Sequence, residues 1–211
     1  MGLIEDLEKK LEGGKFRLLN EKLYKNKELT PEEAKKYHIF YENQIKKWPA
    51  DPKQVIIRKI RESESLELKI ADLGCGTAEI SKFFPNVTSF DQYPTNEKVV
   101  KCSISEIKAE KEYFDVAICC LSLMKTNITG ELKEVNRILK KEGIFYLAEV
   151  SSRIKNTKKF INDIEKLGFK LKEVDKSNTH FSVFSFIKKE DTSVEKRLPS
   201  ITLLDCKYKK R

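Results

Sequence analysis

The sequence predicts an α/β protein: a doubly wound, Rossmann-like, seven-stranded and mostly parallel sheet with helices on both faces, preceded by an N-terminal helical cap. Three observations predict it. Roughly the first 65 residues carry only helical periodicity, short apolar runs alternate with amphipathic helices from Lys69 onward, and Asp72-Leu73-Gly74-Cys75-Gly76 follows the first of those runs. Strands alternating with helices close into a mostly parallel sheet covered on both sides.

In chain order, Leu3, Ile4, Leu7 and Leu11 recur at helical spacing until Gly13-Gly14, which is expected to break the helix before a second one at Phe16 to Tyr24. Thr30-Pro31-Glu32-Glu33 supplies an N-cap, a proline at the first helical position and a capping-box glutamate, opening a helix expected to reach Trp48, where Pro49 ends it. Residues 53 to 62 add a stretch through Val55, Ile56, Ile57 and Ile60. The expected organisation is a cap at 1–65, a core at 66–190 and a basic tail at 191–211.

Expected strands are Ile70 to Leu73, Val87 to Asp91, Val99 to Cys102, Val116 to Leu121, Ile144 to Val150, Phe169 to Val174 and Phe181 to Ile187. Helices at about 130–140 and 157–167 should stop at Gly143 and Gly168, each in a left-handed C-cap. Only the polar stretch around Lys176 to Thr179 separates the last two strands. That is too short for a parallel crossover, so they pair antiparallel. Six parallel strands and one reversed strand make the class I methyltransferase variant of the doubly wound fold.

Composition bounds the partners. The chain has 42 Lys and Arg against 33 Asp and Glu, a net charge of +9 that favours a polyanion. The charge is scattered in doublets such as Lys46-Lys47 and Lys140-Lys141, with a terminal cluster of Lys207, Lys209, Lys210 and Arg211. The five cysteines form no C-x-x-C pair and read as reduced thiols, so neither a disulfide framework nor a metal site is expected. No apolar run nears the roughly 18 residues of a membrane span, and no membrane partner or secretion is expected.

The chemistry concentrates behind the first strand. Gly74 and Gly76 let the backbone approach a nucleotide-like ligand, with Asp72 at the head of the motif. Glu79 stands where a dinucleotide loop wants a third glycine, which disfavours a phosphate-bearing cofactor and suits a cationic sulfonium such as S-adenosylmethionine. Asp91 closes the second strand, 15 residues beyond Gly76, where a carboxylate can accept from both ribose hydroxyls; an acidic turn residue is the plainer alternative. Ser103 and Ile104 follow the third strand, where an adenine would lie.

Cys119 and Cys120 point to opposite faces of one strand, and Cys120 either lines the pocket or is a small buried hydrophobe. Leu121 to Asn127 occupies the segment that presents the acceptor, although Asn127 equally suits a helix cap. No Asn-Pro-Pro-Tyr motif is present to hold an exocyclic amine, which argues against base-amino methylation of that style and keeps a ring nitrogen open as acceptor. Methyl transfer from a sulfonium to a lone pair rests on positioning, and no catalytic acid or base is nominated.

With these residues in view, the sequence closely resembles the nucleomethylin family, the ribosomal RNA-processing protein eight family. The matching stretches include Phe16 to Glu21, Tyr37-His38, Gln44 to Pro49, Ala71 to Gly76, Cys120-Leu121-Ser122-Leu123-Met124, Asn136 to Lys140, Ala148 to Arg153 and Cys206 to Arg211. The resemblance implies an S-adenosylmethionine-dependent enzyme that methylates N1 of an adenine in large-subunit ribosomal RNA, releases S-adenosylhomocysteine, and works in the nucleus and nucleolus on ribosomal RNA or a pre-ribosomal particle. It also implies a cofactor-binding pocket of His38, Gly74, Asp91, Ser103, Ile104 and Cys120; from the residues alone His38 reads as a surface or core-edge histidine. Some members of the family sit in a chromatin-silencing complex, so the alternative is a cofactor-binding module with chromatin-associated partners and no turnover. The sequence departs from the family at Ser103, usually acidic, and at Lys125, usually glycine.

Overall fold

The computed structural model describes residues 2–25, 27–62, 67–193 and 197–206. The basic cluster Lys207, Lys209, Lys210 and Arg211 lies outside the described residues, as do the side chains of Leu3, Ile4 and Leu7.

The N-terminal region is helical but divided differently from the expectation. One helix, α1 (Gly2–Tyr24), runs straight through Gly13-Gly14. A glycine inside a helix costs only about 0.5–1 kcal/mol relative to alanine. Packing beyond the pair outweighs that cost: Phe16, Leu19 and Tyr24 are buried, and Phe16 stacks on Tyr37 at 5.6 Å. Helix α2 (Pro31–Ile45) opens with the expected capping box, Glu33 N–H donating to Thr30 Oγ1 at 3.2 Å and Thr30 N–H to Glu33 Oε2 at 3.1 Å. It stops at Ile45 rather than Trp48, because Trp48 turns aside to stack on Phe181 at 5.8 Å. Helix α3 (Pro52–Arg61) is capped by Asp51 and buries Val55, Ile56, Ile57 and Ile60.

The sheet comprises β1 (Ile70–Leu73), β2 (Val87–Asp91), β3 (Val99–Lys101), β4 (Phe114–Cys120), β5 (Leu139–Val150), β6 (Phe169–Asp175) and β7 (Phe181–Lys188), in the order β3-β2-β1-β4-β5-β7-β6. The pairs β1–β2, β1–β4, β2–β3 and β4–β5 are parallel, while β7 is antiparallel to both β5 and β6. Six strands therefore share one direction and β7 is reversed, the class I methyltransferase topology the sequence predicts. Helices α4 (Thr129–Ile138) and α5 (Thr157–Glu165) pack Leu132, Val135, Phe160 and Ile164 on one face, joined by Ile201 and Leu203 of the C-terminal segment. On the other face α3 packs with Ile80, Phe84, Val116, Ile118 and Tyr146.

Two local expectations fail. Helix α4 passes directly into β5, so Gly143 is not its left-handed cap; Glu142 takes the positive φ of 65° instead. Gly143 is needed for a close approach, since a Cβ there would lie 2.8 Å from the Lys140 carbonyl oxygen and 3.0 Å from that of Asp115. Gly168 does adopt the left-handed conformation, φ +95°, after α5. The helix expected behind the glycine loop is only a 3-10 turn, Glu79–Lys82, entered through Ala78 at φ 57°.

Gly13 and Gly14 are exposed, and a Cβ on either meets nothing within 4 Å. Gly13→Ala and Gly14→Ala should each raise stability by about 0.5–1 kcal/mol in urea titrations. A loss of stability in both would contradict an unbroken α1.

Candidate active site

In the strand order, connections leave β1 toward β2 on one side while β4 follows on the other. This switch point opens a crevice at the carboxyl ends of the strands. A cavity of about 260 Å³ occupies it, roofed by α2 and lined by His38, Asp72, Gly74, Asp91, Ser103, Ile104 and Cys120, all seven residues nominated from the sequence.

The floor is the turn after β1. Gly74 and Cys75 both donate backbone N–H groups to the Phe90 carbonyl, at 2.8 and 3.0 Å. Gly74 and Gly76 have φ values of 70° and 57°, in the region where glycine is unstrained. A Cβ on Gly74 would come within 2.4 Å of Ser122 Cβ, so this glycine also lets the turn after β4 close over it.

Asp91 ties the floor together. Its Oδ2 accepts Gly76 N–H at 2.9 Å and its Oδ1 accepts Tyr93 N–H at 2.8 Å. The roof lands on the same groups: His38 Nε2 lies 3.3 Å from the Tyr93 carbonyl oxygen, and its ring sits 3.4 Å from where a Gly76 Cβ would be. Thr77 Oγ1 donates to Glu42 of α2 at 2.8 Å. Ser103 and Ile104 form one wall, with Ser103 Oγ 2.9 Å from Ser105 Oγ. Cys120 forms the opposite side, while Cys119 faces into the core on the α4 side.

Charges divide into paired and unpaired. Glu79 pairs with Lys53, and Glu131 with Lys125 at 2.8 Å. The carboxylate of Glu79, expected to favour a sulfonium, is thus offset by a neighbouring ammonium. Asp72 and Asp91, 3% and 7% exposed, pair with no Lys or Arg among the described residues. Burial, reinforced by the charge of Asp91, pushes the Asp72 carboxyl up to about 7. Burial also raises Asp91, opposed by its two backbone donors and by His38. Burial raises the Cys120 thiol well above its ordinary value, which keeps it protonated.

The turn after β4 begins with Leu121 at φ 55°, an uncommon and strained conformation for a bulky residue. Leu121 to Lys125 line the cavity, whereas Asn127 does not; its Oδ1 accepts Thr129 N–H at 3.1 Å, a turn bond one residue ahead of Ile128, the N-cap of α4. Met124 of the expected acceptor segment lines the cavity too, as do Tyr37, Tyr41 and Lys53, to which the sequence assigned no role. Tyr37 and Tyr41, four residues apart on α2, stack at 6.4 Å, and Tyr37 Oη donates to Met124 Sδ at 3.6 Å. The i,i+4 spacing beside His38 was the available signal.

The sheet order and the crevice are those of the class I methyltransferase fold. The chain belongs to the family described as hypothetical methyltransferase, whose model matches residues 2–211. It is 37% identical to the mouse (Mus musculus) ribosomal RNA-processing protein 8 over 96% of this chain and 46% of that protein, so it spans about half of that relative's length. It is also 37% identical over 99% of its length to the Schizosaccharomyces pombe 25S rRNA (adenine(645)-N(1))-methyltransferase, covering 72% of it. Among solved structures, a didemethyltoxoflavin N1-methyltransferase from Burkholderia thailandensis with S-adenosylhomocysteine bound superposes at a TM-score of 0.60 with 15% identity, covering 77% of this chain and 92% of that one. The [4+2]-cyclase SpnF shares the fold at a TM-score of 0.55 and 13% identity, covering 64% of this chain and 80% of that one. The fold alone therefore does not fix the reaction.

Asp72 ionises near 7 in the folded protein and near 4 when unfolded, so the folded state binds the extra proton between those values. Its contribution to stability is lost as pH rises through that window. Asp72→Asn, unable to ionise, should gain on the wild type from pH 4 to 7 and keep a constant advantage above it in denaturation curves. Parallel pH profiles would contradict the assignment.

Proposed function

We propose that the protein is an S-adenosylmethionine-dependent RNA methyltransferase acting on N1 of an adenine in large-subunit ribosomal RNA, in the nucleus and nucleolus. One observation carries the cofactor: two buried carboxylates, Asp72 and Asp91, line the cavity and form no ion pair with a Lys or Arg among the described residues. Burying such charges unpaired is costly, and a ligand bearing ammonium and sulfonium groups relieves that cost.

The residues present fit that ligand. Each oxygen of Asp91 holds one backbone N–H and keeps capacity to accept from a ribose hydroxyl. Ile104 and Cys120 offer apolar surface to an adenine, and His38 seals the roof against Gly76. When bound, the cofactor supplies an electrophilic methyl group. The chain's own contribution is to hold the acceptor in line: the Leu121–Lys125 turn borders the cavity, and a ring nitrogen offers its lone pair without help from a base.

The relative named for adenine-N1 methylation supports the acceptor. The net charge of +9 supports an RNA partner held through its phosphates.

The protein should transfer methyl groups from labelled cofactor to large-subunit ribosomal RNA or pre-ribosomal particles, giving 1-methyladenosine on mass spectrometry of digested RNA. Transfer should vanish in Asp91→Ala and weaken as salt rises from about 50 to 200 mM. Cofactor binding without any methylated nucleoside would favour the silencing-module alternative, and no cofactor binding would overturn the reading.

A further inference from the structure

Arg153 does not line the cavity, yet its side chain makes four hydrogen bonds around the turn that does. Arg153 ends a 3-10 turn, Ser151–Arg153, directly after β5 and is 2% exposed. Its Nη1 donates to Glu149 Oε2 at 3.0 Å and to the Leu123 carbonyl at 2.8 Å. Its Nε donates to the Leu204 carbonyl at 2.8 Å, and its Nη2 reaches the Lys125 carbonyl at 3.5 Å. Its guanidinium carbon lies 4.8 Å from the centre of the Tyr24 ring of α1.

The two carbonyls held in the turn after β4, those of Leu123 and Lys125, flank Met124, which lines the cavity and accepts from Tyr37 of the roof. The same turn is laced to the C-terminal segment by Leu203 N–H to the Thr126 carbonyl at 2.8 Å and Ile128 N–H to the Ile201 carbonyl at 3.0 Å. Leu204 N–H returns to the Arg153 carbonyl at 2.8 Å. One guanidinium thus joins the end of β5, the turn after β4, the C-terminal segment and the cap.

A buried ion pair is a poor source of stability, because desolvation offsets the attraction and apolar residues would pack as well. What apolar residues cannot supply is a planar fork that fixes several carbonyls at once. The turn needs such a restraint, since it begins at the strained Leu121.

We propose that Arg153 is a positioning residue for methyl transfer, setting the Leu123–Lys125 turn against the cavity while taking no part in cofactor binding. This rests on the methyltransferase reading of the site. Arg153→Lys keeps the charge facing Glu149 but cannot span the carbonyls. The variant should bind S-adenosylhomocysteine with wild-type affinity by calorimetry and lose about 100-fold in kcat for RNA methylation. By hydrogen exchange, the amides of Ile128, Leu203 and Leu204 should exchange faster than in the wild type, with Gly76 unchanged.

Wild-type kcat, or cofactor affinity falling in step with transfer, would overturn the proposal. If the wild type itself transfers no methyl group, the functional reading fails and exchange decides this one. Loosening confined to the three amides supports the restraint, and no loosening, or equal loosening at Gly76, overturns it.

Discussion

The carboxylate of Asp91 is the constraint on which the site depends. Its two oxygens hold the backbone of Gly76 on one side and Tyr93 on the other, so the turns after β1 and β2 are fixed relative to each other. The roof then docks on those same two residues through His38. A single strand-end carboxylate therefore sets both the floor of the cavity and the place where α2 lands. Because α1 packs on α2 through Phe16 and Tyr37, the whole N-terminal layer inherits its position from this point.

The electrostatics of the cavity follow from which acids are given partners. Lys53 and Lys125 offset Glu79 and Glu131, while Asp72 and Asp91 are buried with no Lys or Arg paired to them among the described residues. Lys125 places its cation on Glu131 and makes no ion pair with either aspartate. The opposite arrangement holds beneath the turn after β4, where Glu149 and Arg153 form a closed pair. Charge left open marks the ligand side, and charge closed marks the scaffold.

Much of this was legible in the sequence because it rests on local rules. The strand limits Ile70–Leu73 and Val87–Asp91, the capping box at Thr30 and the left-handed Gly168 follow from periodicity and cap chemistry. The failures are tertiary. Gly13-Gly14 could not break α1 because packing at Phe16, Leu19 and Tyr24 outweighs a weak propensity. Gly143 looked like a cap, but its small size serves two approaching carbonyls. Six of the seven nominated site residues meet at one cavity because they lie on or just after strands that converge at a switch point, whereas His38, on α2, was reached only through the family resemblance. Lys53 and Arg153 were given no role because their partners are distant in sequence, whereas Tyr37 and Tyr41 had a local signal in their spacing.

The claim that most needs testing is that sheet edge and helical roof form one binding site. Hydrogen exchange across the chain with and without S-adenosylhomocysteine tests it directly. If the two form one site, exchange slows in residues 74–77 and 91–93 together with the Tyr37–Tyr41 stretch of α2. Slowed exchange confined to the sheet edge, with α2 unaffected, would contradict it.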